Sequence, residues 1–185
     1  RQMCIRDRIG FERVLDAGTA FLATSLLEGV IDRGTGRGVR AGGIRGPIAG
    51  KTGTSDEERD AWFVGFSPEL VVVVWVGFDE PRSLGLPSSQ VALPVWTRFV
   101  REATGGHLRG TFIPPVEVVE VDIDPVSGAL ALAGCPRRIA EYFLRGTEPE
   151  ATCPEWASRG REGGRPDGRG PTFLERLFED WLNRL

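Results

Sequence analysis

The residues with the strongest chemical content form one short run, Gly50-Lys51-Thr52-Gly53-Thr54. Its lysine is the only one in the chain, so arginine supplies the other 22 of the 23 basic side chains. A lysine beside threonines can hold a carboxylate or a phosphate through charge and hydroxyl hydrogen bonds. Any motif that requires a lysine must use Lys51, and two classes of motif contain this arrangement.

A phosphate-binding loop is the first class, and the spacing argues against it. The pattern G-x-x-x-x-G-K-[ST] requires a glycine five residues before Gly50, and that position is Arg45. The residues after Thr52 also predict a turn and a β-hairpin, whereas a phosphate is held at the N-terminus of a helix. Nucleotide binding at this run is therefore disfavoured.

The second class places lysine, threonine and glycine on a strand at the edge of a cleft. There the lysine charge anchors a substrate carboxylate and tunes protons near a nucleophile, while threonine hydroxyls hydrogen-bond the carboxylate. Glycine lets a substrate lie against the strand, and a nearby backbone N–H can face a developing oxyanion. Residues 47–54 predict such a strand, followed by a hairpin.

Periodicity predicts the elements that position this strand. We expect two helices, the first capped by Asp16, and three antiparallel strands, over residues 14–33, 91–103, 47–54, 60–66 and 70–78. The valine run of the last strand lacks polar alternation, which predicts a strand covered on both faces. The glycine-rich residues 35–46 predict an exposed, flexible connection. Core packing is expected for three tryptophans: Trp62, Trp75 and Trp96.

The composition changes after Pro114-Pro115. An alternating strand and a turn follow, then an Arg/Gly/Pro linker and a short amphipathic helix. The first eight residues match no element, and we interpret them as a foreign or wrongly joined segment. The predicted divisions are 1–8 (foreign segment), 9–112 (main α/β domain), 113–156 (small β appendage), 157–171 (linker) and 172–185 (helix).

Several runs occur together in a specific order: Gly50 to Thr54, then Asp60-Ala61-Trp62-Phe63-Val64-Gly65-Phe66, Val74-Trp75-Val76-Gly77-Phe78-Asp79 and Asp122-Ile123-Asp124-Pro125-Val126-Ser127-Gly128. They resemble the end of the transpeptidase domain of class A (bifunctional) penicillin-binding proteins. The resemblance covers about Phe11 to Trp156. It implies an α/β fold: the C-terminal part of the penicillin-binding transpeptidase (serine β-lactamase-like) fold, with antiparallel strands covered by helices and a small β appendage.

The resemblance also implies an activity, that of a serine-type D-Ala-D-Ala transpeptidase of peptidoglycan synthesis. By this likeness Lys51 is a catalytic residue, and Thr52, Gly53 and Thr54 bind the substrate. The residue matching Thr54 contacts the substrate carboxylate and lends its N–H to the oxyanion hole. Expected partners are peptidoglycan stem peptides and β-lactams, and no cofactor is expected. The implied location is the extracytoplasmic face of the bacterial inner membrane, anchored by an N-terminal segment outside this sequence.

Two motifs of that family are absent. S-x-x-K, which supplies the nucleophile and its base, would need serine at position 48, which is Ile48. S-x-N, which relays protons, would need serine at position 181, because Asn183 is the only asparagine, and that residue is Trp181. We therefore expect the C-terminal part of a transpeptidase domain, inactive alone and dependent on the missing N-terminal part of the same protein.

Cys135 and Cys153 are the cysteines within the resemblance. An extracytoplasmic location would allow a disulfide between them, and two free buried thiols are the alternative. No metal site is expected, because the sequence has no C-x-x-C pair and its single histidine, His107, lies in a glycine-rich loop.

Other classes of function remain open. A non-catalytic module that binds cell-wall components or a partner protein is the main alternative, and the 172–185 helix would suit contact with cell-wall synthesis partners. The end of a β-lactamase shares the K-T-G signal, but the long appendage past Pro115 fits it less well. The net charge of −3 disfavours nucleic-acid binding.

Overall fold

The computed structural model describes residues 13–80 and 82–153, in two units that divide between Ile113 and Pro114. The predictions for residues 1–8, 157–171 and 172–185 lie outside the described residues. Among the described helices, none is both long enough and apolar enough to cross a bilayer.

The first unit contains three helices and three strands: α1 (Ala17–Asp32), α2 (Gly38–Ala41), β1 (Ala49–Thr54), β2 (Ala61–Phe66), β3 (Val71–Val76) and α3 (Ala92–Thr104). Asp16 caps α1, because its carboxylate accepts a hydrogen bond from the Thr19 N–H at 2.8 Å. The two long helices and the three strands predicted from periodicity are confirmed, with boundaries shifted by up to three residues.

The strands form one antiparallel sheet in the order β1-β2-β3. Helix α3 packs on one face, where Trp96 meets Phe63 edge-on with ring centroids 5.2 Å apart. The Trp96 indole N–H also donates to the Val72 carbonyl at 3.0 Å. Because these contacts join the helix to β2 and β3, this face of the sheet is the core of the unit.

Much of the opposite face of β2 and β3 is exposed in the described part of the chain, which corrects two predictions. Val71 and Val73 are 68% and 53% exposed, so the β3 valine run is covered on one face, not on both. Trp62 and Trp75 lie on this exposed face with ring centroids 6.1 Å apart, so of the three tryptophans only Trp96 is buried. An unbroken valine run cannot report this difference, because both faces carry the same side chain.

Residues 35–46 were predicted to be an exposed connection, and that prediction is wrong. They contain α2, and Val39 and Ile44 are buried in the core. Arg40 holds the segment from both sides, since its guanidinium pairs with Asp32 at 2.8 Å and donates to the Gly46 carbonyl at 2.8 Å. Burial of Val39 and Ile44 therefore stabilises an ordered segment, although its glycine-rich composition favours an exposed loop.

The second unit contains an antiparallel pair of strands, β4 (Val118–Ile123) and β5 (Ile139–Leu144). After β4 the chain turns at Asp124, whose carboxylate accepts hydrogen bonds from the N–H and hydroxyl of Ser127. The sequence left the state of the two cysteines open, and the structure joins Cys135 to Cys153 in a disulfide. Their neighbour in the small buried cluster is Ala131.

Candidate functional site

Strand β1 carries Lys51, Thr52, Gly53 and Thr54 and pairs only with β2 among the described strands. Just beyond the last ladder pair, Thr54 with Ala61, the Ser55 N–H donates to the Asp60 carbonyl at 3.1 Å and the Asp60 N–H donates to the Ser55 hydroxyl at 2.8 Å, so these two residues face each other as a hydrogen-bonded pair. In antiparallel sheets, hydrogen-bonded pairs alternate with pairs that are not hydrogen-bonded. The backbone N–H and C=O groups of Gly53 and Lys51 therefore also point toward β2. The N–H and C=O groups of Thr52 and Thr54 therefore point away from β2. They point toward the edge with which no described strand pairs, which we call the open edge, and helix α1 packs against the same strand.

Lys51 is a half-buried cation on this strand. Its Nζ donates to the Thr52 carbonyl at 2.8 Å, so the side chain reaches toward the open edge. Burial lowers the pKa of the Lys51 amine below its ordinary value. No carboxylate in residues 13–80 or 82–153 lies within ion-pair distance of it. The amine is thus a cation with spare capacity for an anion.

Both threonine hydroxyls are hydrogen-bonded to hydroxyls from flanking loops. Thr52 Oγ1 lies 3.0 Å from Thr35 Oγ1, and Thr54 Oγ1 lies 2.8 Å from Ser88 Oγ. Sequence reasoning assigned no role to Thr35 or Ser88. The contacts join residues 17 and 34 positions apart, so no local pattern reports them.

Glycine at position 53 permits the close pairing of the strand with β2. A Cβ built there would lie 3.3 Å from the Cβ of Trp62, tighter than ordinary van der Waals contact. The turn that follows is held by Asp60, which accepts hydrogen bonds from the Ser55 hydroxyl and from the Trp75 indole N–H at 2.8 Å. These contacts fix the end of the strand that bears Thr54.

The other residues considered in the sequence lie outside this strand. His107 is exposed, and its Nδ1 hydrogen-bonds the Gly105 carbonyl at 3.0 Å within the same loop. Cys135 and Cys153 are joined in the second unit. The candidate site is therefore β1 itself: an open strand edge with one cation and two threonines. Such an edge can pair with an extended peptide while the amine binds a carboxylate.

Comparison with known proteins places the chain in a family. Residues 114–158 match the family model described as penicillin-binding protein 1A, C-terminal domain. Penicillin-binding protein 1A of Pseudomonas aeruginosa is 43% identical over 141 residues, which is 75% of this chain and 17% of that protein. Penicillin-binding protein 2D of Bacillus subtilis is 31% identical over 183 residues, covering 94% of this chain and 26% of that protein.

A solved structure agrees with these relatives. The crystal structure of penicillin-binding protein 1A from Haemophilus influenzae matches with a TM-score of 0.65 and 34% identity, over 76% of this chain and 22% of that one. The α/β fold is thus that of a penicillin-binding protein, in its transpeptidase region. The chain belongs to the penicillin-binding protein 1A family and corresponds to a C-terminal part of it. It spans about a fifth of the length of the relatives cited here, 17% to 26%.

Proposed function

We propose that this chain forms the C-terminal part of a peptidoglycan D,D-transpeptidase domain and that β1 is one wall of its cleft. The observation that carries the proposal is the open edge of β1, to which the Lys51 amine and the Thr52 and Thr54 backbone groups are directed. A stem peptide ending in D-Ala-D-Ala, or a β-lactam that mimics it, would lie along this edge with its carboxylate near the amine.

Each residue of the strand has a distinct role in this proposal. The Lys51 charge attracts the carboxylate, and its lowered pKa suits an amine that also shifts protons near the nucleophile. The Thr52 hydroxyl hydrogen-bonds the carboxylate, and the Thr54 N–H stabilises the oxyanion. A serine outside this sequence attacks the penultimate D-alanine carbonyl, the terminal D-alanine leaves, and an amine then resolves the acyl-enzyme.

The nucleophile must come from a preceding part of the domain, because S-x-x-K and S-x-N are absent from this sequence. An uncovered apolar surface supports such a partner. We call it the open sheet face, and it consists of exposed side chains from β2 and β3: Trp62, Val64, Val71, Val73 and Trp75. Lys51 shares this face by register, opposite Val64. A preceding segment packed there would bury apolar area beside the amine.

The same face also suits a second function, that of a non-catalytic module. Contiguous exposed valines and tryptophans are typical of protein-binding surfaces. In that case the chain would bind a partner and would need no nucleophile. Acylation measurements separate the two functions, because only the transpeptidase depends on Lys51 for chemistry.

The test uses the complete transpeptidase, in which this chain is joined to the preceding part of the domain. A hybrid in which the Pseudomonas aeruginosa relative supplies the preceding part of the domain is an equivalent test protein. Lys51→Ala should slow acylation by a labelled penicillin by about a hundred-fold, since a positioned charge is lost next to the reacting group. Arg98→Ala, which removes an exposed cation from α3, is the matched control and should leave the rate unchanged.

Unchanged acylation in Lys51→Ala, with the melting temperature preserved, would remove Lys51 from the mechanism. The chain alone should form no penicilloyl adduct, which intact mass spectrometry reports directly. An adduct on the isolated chain would contradict the proposal that the nucleophile lies outside it.

A further inference from the structure

We propose that Ser88, in the loop before α3, is a positioning residue that orients the oxyanion-binding N–H of Thr54. The inference rests on the proposed function, since it concerns the same strand. Ser88 is 0% exposed, yet its hydroxyl contacts three polar groups of two strands. It donates to the Gly53 carbonyl, accepts from the Trp62 N–H at 3.2 Å, and hydrogen-bonds Thr54 Oγ1 at 2.8 Å.

The Gly53 carbonyl is the important contact, because it belongs to the same peptide plane as the Thr54 N–H. A trans peptide is rigid, and its C=O and N–H point in opposite directions. Holding the Gly53 oxygen on the β2 side therefore directs the Thr54 N–H to the open edge of β1. Glycine needs such a restraint more than other residues do, since its backbone rotates most freely.

The Ser88 hydroxyl has a single proton, and this determines the direction of the hydrogen bond between Ser88 Oγ and Thr54 Oγ1. A carbonyl can only accept, so the single Ser88 hydroxyl proton goes to Gly53. The hydrogen bond between Thr54 Oγ1 and Ser88 Oγ must then be donated by Thr54. The Thr54 hydroxyl proton is thus directed into the protein, and contact with a substrate carboxylate as a donor requires that this bond break. At Thr54 the N–H is the donor that remains available to a substrate.

The backbone of Ser88 is itself anchored to α3. Its carbonyl accepts from the Leu93 N–H at 3.1 Å, and Leu93 is buried in the core beside Trp96. Because the loop is bonded to a packed helix, α3 fixes where the Ser88 side chain lies at the end of β1. This anchorage explains how a side chain that does not line the edge can control the geometry there.

The test compares two kinetic constants for penicillin acylation in the complete transpeptidase. Ser88→Ala should lower the first-order acylation rate constant by about ten- to a hundred-fold, the scale expected for a mispositioned oxyanion donor. The dissociation constant of the preceding non-covalent complex should change less than about three-fold, because Lys51 and Thr52 still hold the carboxylate. A purely structural role would not separate the two constants in this way.

A second pair of variants carries the test if Ser88→Ala fails to fold. Thr54→Val removes the hydroxyl that bonds Ser88 but keeps the Thr54 N–H, and Thr54→Ser restores the hydroxyl. We expect the acylation rate constant to fall a few-fold in Thr54→Val and to recover in Thr54→Ser. The effects of Thr54→Val and Ser88→Ala should be non-additive, because both act on one network.

Two results would overturn the inference: an acylation rate constant unchanged in Ser88→Ala, or unchanged in Thr54→Val where Ser88→Ala is unfolded. Lys51→Ala distinguishes this failure from failure of the proposed function. If Lys51→Ala is impaired while the Ser88 and Thr54 variants are not, only the positioning role is lost. If all variants acylate normally, β1 has no part in the reaction.

Discussion

Residues 13–113 and residues 114–153 each contain an antiparallel sheet, but the two sheets are stabilised by different means. In the first unit a helix packs on three strands, and the core includes large side chains such as Phe63 and Trp96. In the described part of the second unit, two strands accompany a small buried cluster of Ala131, Cys135 and Cys153, and Val118, Ile123 and Ala129 are also buried. Among these described residues of the second unit, a disulfide joins the two cysteines of the cluster, whereas the described core of the first unit is held by packing without such a link.

The difference shows what each unit can provide for function. In the first unit the β1 edge that bears Lys51 pairs with no other described strand, and the position of β1 is set by β2, on which α3 packs. The second unit contains a covalent link, which stabilises it chiefly by restricting the unfolded chain. Core substitutions should therefore lower the stability of the first unit, and loss of the disulfide should lower the stability of the second.

The largest expected effect comes from the core of the first unit. Trp96→Ala removes the ring contact with Phe63 and the hydrogen bond to Val72, and should lower the free energy of unfolding of this unit by about 3–5 kcal/mol. Phe99→Ala on the same helix is the control, since Phe99 is 54% exposed, and it should cost far less. Urea unfolding followed by near-ultraviolet circular dichroism measures both. Equal losses would mean that α3 does not pack as described.

Loss of the disulfide should have the next largest effect, confined to the second unit. Replacing Cys135 and Cys153 together by alanine should cost about 3 kcal/mol, the chain-entropy value for a loop of this size. Hydrogen exchange should then accelerate in β4 and β5 and remain unchanged in β1 and β2. Cys4→Ala is the control, because Cys4 takes no part in the disulfide. Faster exchange in β1 and β2 as well would contradict an effect confined to the second unit.

The smallest expected effect is a pH dependence of the first unit that comes from Lys51. Burial lowers the pKa of this amine in the folded state, so between that value and the ordinary lysine value the unfolded chain binds more protons. The free energy of unfolding should therefore rise with pH through this alkaline window, where the burial cost of the charged amine disappears. Lys51→Met should remove the contribution of this amine and so reduce the slope, as urea unfolding at a series of alkaline pH values would show.

Amine acetylation offers a direct check of the same pKa. Lys51 is the only lysine, so one acetyl group located there by peptide mapping reports its titration without interference. The reaction rate should reach half of its maximum at a lower pH in the folded chain than in the urea-unfolded chain. Identical titration curves would contradict the lowered pKa.

The sequence allowed most elements of the first unit to be predicted. Alternation, helical periodicity and the Asp16 cap are local signals, and α1, α3 and the three strands follow them. The segment over residues 35–46 was missed, because burial of Val39 and Ile44 depends on partners distant in the chain. The exposed side of β3 was missed for a related reason: six apolar residues in a row do not reveal which face another element covers.

The sequence alone determined which side chains lie together in the candidate site, because neighbours in a strand are neighbours in the chain. Lys51, Thr52, Gly53 and Thr54 lie together in any extended conformation of that run. The tertiary structure alone decided which edge of the strand is open and which hydroxyls bond the two threonines. Those features depend on the antiparallel register with β2 and on the loop that brings Ser88 across 34 residues to Thr54. A hydrogen-bond partner so distant in the chain is selected by packing, which no local pattern of residues encodes.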